Sequence, residues 1–101
     1  MPAFMIVFAR ITDAARYATY AEAVGPLIAR HGGRLIGRSL PPVVLEGAFS
    51  WQAAGVLEFP SLAAAQNFWS SSDYTKLKFL RAGAAEIQAV LVDGIAGPIA
   101  T

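Results

Sequence analysis

Apolar residues recur along this chain with two different periods. Ala3 to Arg10 (AFMIVFAR) is rich in β-formers and apolar at both odd and even positions, which predicts a first strand buried on both faces. The spacing then changes to threes and fours, through Tyr17, Tyr20, Ala21, Val24, Leu27 and Ile28, with Thr12-Asp13 ahead of it as an N-cap. A helix is therefore predicted over 13–31. Pro26 lies inside it and removes a backbone donor, so a kink is expected between Glu22 and Pro26, eased by Gly25. Gly32-Gly33 ends the helix, a left-handed glycine being the usual device there.

A second strand is predicted from Arg34 to Ser39, with Leu35 and Ile36 on opposite faces and Pro41-Pro42 as its terminator. Val43-Val44-Leu45-Glu46 is long enough for a short extra edge strand. Ala53 to Phe59 forms the third main strand, stopped by Pro60, and Ser61 is placed to cap the helix that follows. Leu62, Ala65, Phe68 and Trp69 give that helix its apolar stripe. Ser70-Ser71-Ser72-Asp73 interrupts the stripe and offers fresh caps, so a separate helical piece carrying Tyr74, Leu77, Leu80 and Ala84 should begin there. Phe79 lies off the stripe and reads as an association contact. Ile87 to Val92 is the fourth strand. Residues 1–94 are expected to form one domain and residues 95–101 a flexible C-terminal tail.

Two strand-helix-strand units in series, each too short for a doubly wound sheet, predict an α+β fold of β-α-β-β-α-β, ferredoxin-like order. Its four-stranded antiparallel sheet carries the helices on one face. The other face is left bare. Strands one and four are apolar there too, and the composition sharpens the problem: 55% of residues are hydrophobic and only 15% charged, against a typical charged share of about 25%. Large uncovered apolar surfaces mark association sites, and a second copy is the simplest cover, so a homodimer is expected.

Charge and cysteine content narrow the classes further. A net charge of +1 courts no polyanion, and Val56-Leu57-Glu58-Phe59 lacks the aromatic platform of an RNA-recognition sheet, so nucleic acid is not an expected partner. No apolar run reaches the about 18–20 residues of a spanning helix, and Met1-Pro2-Ala3-Phe4 shows no basic leader, so no membrane and a cytoplasmic setting are expected. With no cysteine and one histidine, neither disulfides, a thiolate nucleophile nor a conventional zinc site can be built. Glycine-rich dinucleotide and phosphate-loop motifs are missing as well.

Tyr17 and Tyr20, His31-Gly32-Gly33, Leu45-Glu46-Gly47, Glu58-Phe59-Pro60-Ser61, Trp69 and Ser72-Asp73-Tyr74, taken in this order, resemble the domain-of-unknown-function family 1330 over residues 3–94. The resemblance implies the dimeric α+β barrel superfamily, in which two ferredoxin-like sheets pack face to face. That superfamily includes cofactor-free monooxygenases, lactone isomerases, haem-binding enzymes and plain ligand-binding proteins. Fold analogy alone does not choose among them.

Several residues are candidates for chemistry. His31 is the one side chain that titrates near neutrality without a shifted pKa; it either closes the helix C-terminus or serves as a base or ligand. Arg10, Arg38 and Glu58 interrupt apolar strands and need partners, either in ion pairs or in a site. There an arginine would hold a carboxylate while Glu58 or Glu46 moves a proton. Tyr17, Tyr20, Trp69 and Tyr74 are either core or the lining of an apolar pocket whose polar edges orient a ligand.

The expected function is thus a small-molecule-binding protein or cofactor-independent enzyme, oxygenase- or isomerase-like, with catalytic residues His31, Glu58 and Arg38. Tyr17, Tyr20, Trp69, Tyr74, Glu46 and Arg10 would line the pocket, for a small apolar or carboxylate-bearing ligand. No metal or other cofactor is expected, haem on His31 being the exception weighed. The alternative is a non-catalytic dimeric assembly module, with no deep pocket and every charge paired.

Overall fold

The computed structural model describes residues 1–95. The elements run β1 (Ala3–Ile11), α1 (Ala14–Arg30), β2 (Arg34–Ser39), β3 (Ala53–Phe59), α2 (Leu62–Ser70), α3 (Ser72–Arg81) and β4 (Ala85–Asp93). The four strands form one antiparallel sheet in the order β2-β3-β1-β4, with β1 pairing to both β3 and β4. This is the expected ferredoxin-like α+β arrangement. The predicted tail falls mostly on 96–101, outside the described residues.

Local sequence explains the helix ends. Asp13 Oδ1 accepts from Arg16 N at 3.1 Å and caps α1. At the other end Gly32 N bonds Ala29 O and Gly33 N bonds Ile28 O, both at 2.9 Å, with Gly32 at φ 78°. That pair of bonds is a Schellman closure, and it needs the left-handed residue that glycine supplies most cheaply. Between these ends α1 is one continuous helix through Pro26. Gly25 has no Cβ to meet the proline ring, which removes the usual clash with the preceding residue. Ser71 serves two helices: its hydroxyl donates to Phe68 O at the end of α2 and accepts from Tyr74 N at the start of α3.

Strand alternation assigns the two sheet faces. Ala3, Met5, Val7 and Ala9 of β1 align with Phe59, Leu57, Gly55 and Ala53 of β3 and with Asp93, Leu91, Ala89 and Ile87 of β4. This face meets the helices through a core of Met5, Tyr20, Val24, Leu27, Phe59, Ala65, Phe68 and Tyr74. Burial of each large member contributes about 1.5–3 kcal/mol. Phe4, Ile6 and Phe8 point the other way, beside Val56, Val90 and Val92. Among the described residues no helix covers that side, and Val90 and Val92 stay 41% and 46% exposed.

One expectation needs correction. Val43 to Glu46 forms no strand; residues 40–52 are an irregular connection in which Val43 and Leu45 are almost fully exposed. Apolar β-formers make a strand only when they pair with one, and residues 43–46 do not pair with the free edge of β2. The β2–β3 register shifts between Leu35 and Gly37, so the strand carries an irregularity at Ile36. The side chains of Leu35 and Ile36 remain about half exposed at this edge.

Candidate functional site

The four aromatics predicted to line a pocket do come together. Tyr17 and Tyr20 descend from α1, Trp69 from α2 and Tyr74 from α3, with ring centroids 5.5 Å apart for Tyr17–Tyr20 and 4.9 Å for Trp69–Tyr74. With Met5, Val7, Ile28, Leu57, Phe68 and Ile87 they surround a hollow of about 30 Å³ between helices and sheet. Met5 and Trp69 also line a wider groove of about 410 Å³, completed by Gln66, Ser70, Ala89, Val90 and Leu91 along the β4 edge. A groove of that size lies within the about 300–1,000 Å³ of ordinary ligand sites.

The polar content of this interior is concentrated at one spot. The Tyr20 and Tyr74 hydroxyls are 2.8 Å apart and buried. Arg81 Nη2 donates toward Tyr74 Oη at 3.4 Å, and the guanidinium carbon stands 5.5 Å from the Tyr20 ring centroid. Arg81 Nε is buried with no hydrogen-bond partner among the described residues. Burial pushes the Tyr20 phenol well above its ordinary pKa, and the Tyr74 hydroxyl adds to this while Arg81 pulls the other way. Burial likewise raises Tyr17. For Arg81 burial works against the charged form, yet its hydrogen bond to Tyr74 and its electrostatic interactions with the two phenols outweigh it, so the net shift is upward.

Arg81 was not among the residues singled out from sequence. It closes a helix rich in Lys and Arg, where a basic residue reads as ordinary complement to the helix dipole. The signal was its spacing: Tyr74, Leu77 and Arg81 stand at i, i+3 and i+7 on one helix face. Gln66, on the groove wall, gave no comparable signal.

The other candidates lie elsewhere. His31 caps α1, its Nδ1 3.0 Å from Leu27 O and its ring edge-on to Phe68 at 5.7 Å. Glu58 shares a face with Phe4 and pairs with Arg34 at 2.8 Å, away from the helices. Arg10 is on that same open face, bonded to Glu86 at 2.9 Å and to Ser50 O, with Trp51 under its guanidinium at 5.2 Å. Arg38 is exposed near the end of edge strand β2, and Glu46 is exposed in the irregular connection. Strand parity is the reason: Arg10 and Glu58 fall on the even face of their register, opposite the cleft. Among the described residues no hydrogen bond or ion pair joins His31, Arg38 and Glu58. No group of three or more His, Cys, Asp or Glu side chains suited to a metal ion occurs among them either.

A family model, Domain of unknown function (DUF1330), matches residues 2–95. The chain belongs to the DUF1330 family. No curated protein sequence matches it. Among solved structures it is similar to a protein of unknown function from Rhodopseudomonas palustris, with 23% identity and TM-score 0.76, over 95% of this chain and 84% of that one. It is also similar to a dimeric ferredoxin-like protein of unknown function from Bacteroides fragilis, with 15% identity and TM-score 0.56, over 92% and 96%. A third likeness is to SnoaB, a cofactor-independent oxygenase from Streptomyces nogalater, with 9% identity and TM-score 0.68, over 95% of each chain. At these identities the likenesses establish the fold and no activity.

The residue weighed for haem in this DUF1330 chain, its one imidazole His31, lies apart from both spaces, lining neither the hollow nor the groove. Its Nδ1 is engaged by Leu27 O, within the closure of α1. Among the described residues no helix is long and apolar enough to cross a membrane.

Proposed function

We propose that this protein is a homodimer that binds a small, largely apolar molecule in the cleft between its helices and its sheet, as a ligand-binding protein or a cofactor-independent enzyme. The observation that carries this reading is the Tyr20–Tyr74–Arg81 cluster. Two phenol hydroxyls buried in a largely apolar core, with a half-buried guanidinium beside them, cost desolvation energy that apolar side chains of the same shape would avoid. Groups kept at such a cost beside a hollow and an open groove are candidates for use. In this reading Tyr17, Trp69 and Tyr74 form the walls. His31, Arg38, Glu58, Glu46 and Arg10 take no part.

The homodimer rests on the open face. Phe4, Ile6, Phe8, Val56, Val90 and Val92 form a continuous apolar surface, rimmed by the Arg10–Glu86 and Arg34–Glu58 pairs. A dimeric solved relative of the same fold supports the arrangement. The same face favours a second reading, an assembly module for which the dimer is the whole purpose.

The two tryptophans separate these readings. Trp69 is in the cleft and Trp51 is on the open face, under Arg10. Titration of the ¹⁵N-labelled protein with small aromatic acids and neutral aromatics should shift the Trp69 indole N–H signal and leave that of Trp51 in place. An unmoved Trp69 signal across the panel would reject the cleft and leave the assembly module.

A further inference from the structure

The hydrogen-bond balance around the hollow identifies the kind of group it receives. Each phenol carries one donor and two acceptor positions. If Tyr20 donates across the 2.8 Å contact, the Tyr74 proton has no protein acceptor; if Tyr74 donates, the Tyr20 proton has none. Arg81 only donates, and it donates to Tyr74 Oη. Among the described residues no carboxylate and no backbone carbonyl accepts from any of the three. Both phenols line the hollow, so one hydroxyl proton of the pair is left for an acceptor other than the protein, with the Arg81 guanidinium beside the pair.

Resting on the cleft reading above, we propose that the ligand is an apolar oxyanion: a carboxylate, enolate or phenolate oxygen that accepts from the Tyr20–Tyr74 pair, on an apolar body lying in the groove. The volumes agree with this division. A hollow of about 30 Å³ takes little more than a single polar head group, and the adjoining 410 Å³ takes the body. Met5 and Trp69 line both spaces, so in this assignment the head group and the body meet at these two side chains. Trp69, which also carries Lys78 Nζ 4.6 Å from its ring centroid, is the wall against which a planar body would lie.

Arg81 is a positioning residue here, since it lines neither space. Its hydrogen bond occupies an acceptor position of Tyr74 and its charge favours an anion over a neutral group at that point. Hydrogen bonds to ionised acceptors are roughly twice as strong as neutral ones, so charge on the ligand should be read directly in affinity.

The test compares 2-naphthoate with naphthalene by isothermal titration calorimetry, on the wild type and on Arg81→Met and Tyr74→Phe. The wild type should bind 2-naphthoate at least tenfold more tightly than naphthalene. Arg81→Met should reduce that preference to twofold or less while leaving naphthalene affinity in place, a split that general loss of structure would not produce. If Arg81→Met does not fold, Tyr74→Phe carries the comparison, with a preference reduced at least threefold. Equal affinities in the wild type, or a preference that survives in the variant that folds, would overturn the oxyanion assignment and leave the cleft reading standing. Failure of both compounds to bind would remove the cleft reading and this inference together.

Discussion

Replacing the whole polar cluster with apolar side chains, as Tyr20→Phe/Tyr74→Phe/Arg81→Met, should leave the fold nearly as stable as before. Each single change strands a partner: Tyr20→Phe leaves Tyr74 with only the long 3.4 Å contact from Arg81. A buried group deprived of its partner costs about 1–3 kcal/mol. The triple variant strands nothing. It loses one good phenol–phenol bond, about 0.5–1.5 kcal/mol net, and the weak Arg81 contact. In return it removes the desolvation of a guanidinium whose Nε is buried without a partner, about 1–3 kcal/mol. The two sums roughly cancel. Urea unfolding followed by circular dichroism, at one fixed protomer concentration, should place the triple variant within about 1 kcal/mol of wild type and above its worst single parent. A loss greater than about 3 kcal/mol would show that the cluster holds the fold together, and the case for a functional role would fall.

Three further outcomes follow from other parts of the molecule. Because burial raises the folded-state pKa of Tyr17 and Tyr20, the folded chain holds protons that the unfolded chain releases above about pH 10. Their contribution to stability should be complete below that pH and fade as pH rises beyond it, with Tyr17→Phe/Tyr20→Phe flattening the decline in urea midpoint; an equally steep decline in that variant would contradict the assignment. At Gly33 an added Cβ would lie 2.6 Å from Phe59 Cε1 and 2.8 Å from Ile28 Cγ2, so Gly33→Ala should cost about 1–3 kcal/mol and lower the melting temperature by several degrees, read by calorimetry. Ile6→Lys, placing a charge amid the open face, should give monomers in sedimentation velocity at micromolar concentration, whereas a persistent dimer would place the interface elsewhere.

The fold was legible because its signals are local and redundant. β1 is apolar at both parities, Ser71 breaks one helix and caps the next, and Gly32-Gly33 supplies a closure that few other residues could make. Val43 to Glu46 misled because β-propensity says nothing about whether a neighbouring strand is available. The site was half legible. Tyr17, Tyr20, Trp69 and Tyr74 share helical stripes that face the sheet, so their convergence follows from spacing alone. His31, Glu58 and Arg38 were grouped by chemistry, and chemistry does not fix a sheet face. That depends on strand parity and on register, which sequence alone does not give. Arg81 stayed hidden because a basic residue at a helix C-terminus has an adequate ordinary explanation.

The most direct test of the central claim is a crystal structure of the protein soaked in 2-naphthoate. The ring should lie in the groove against Trp69, with a carboxylate oxygen about 3 Å from Tyr20 Oη or Tyr74 Oη. A naphthoate found only on the open sheet face, with the phenol pair untouched, would contradict the account.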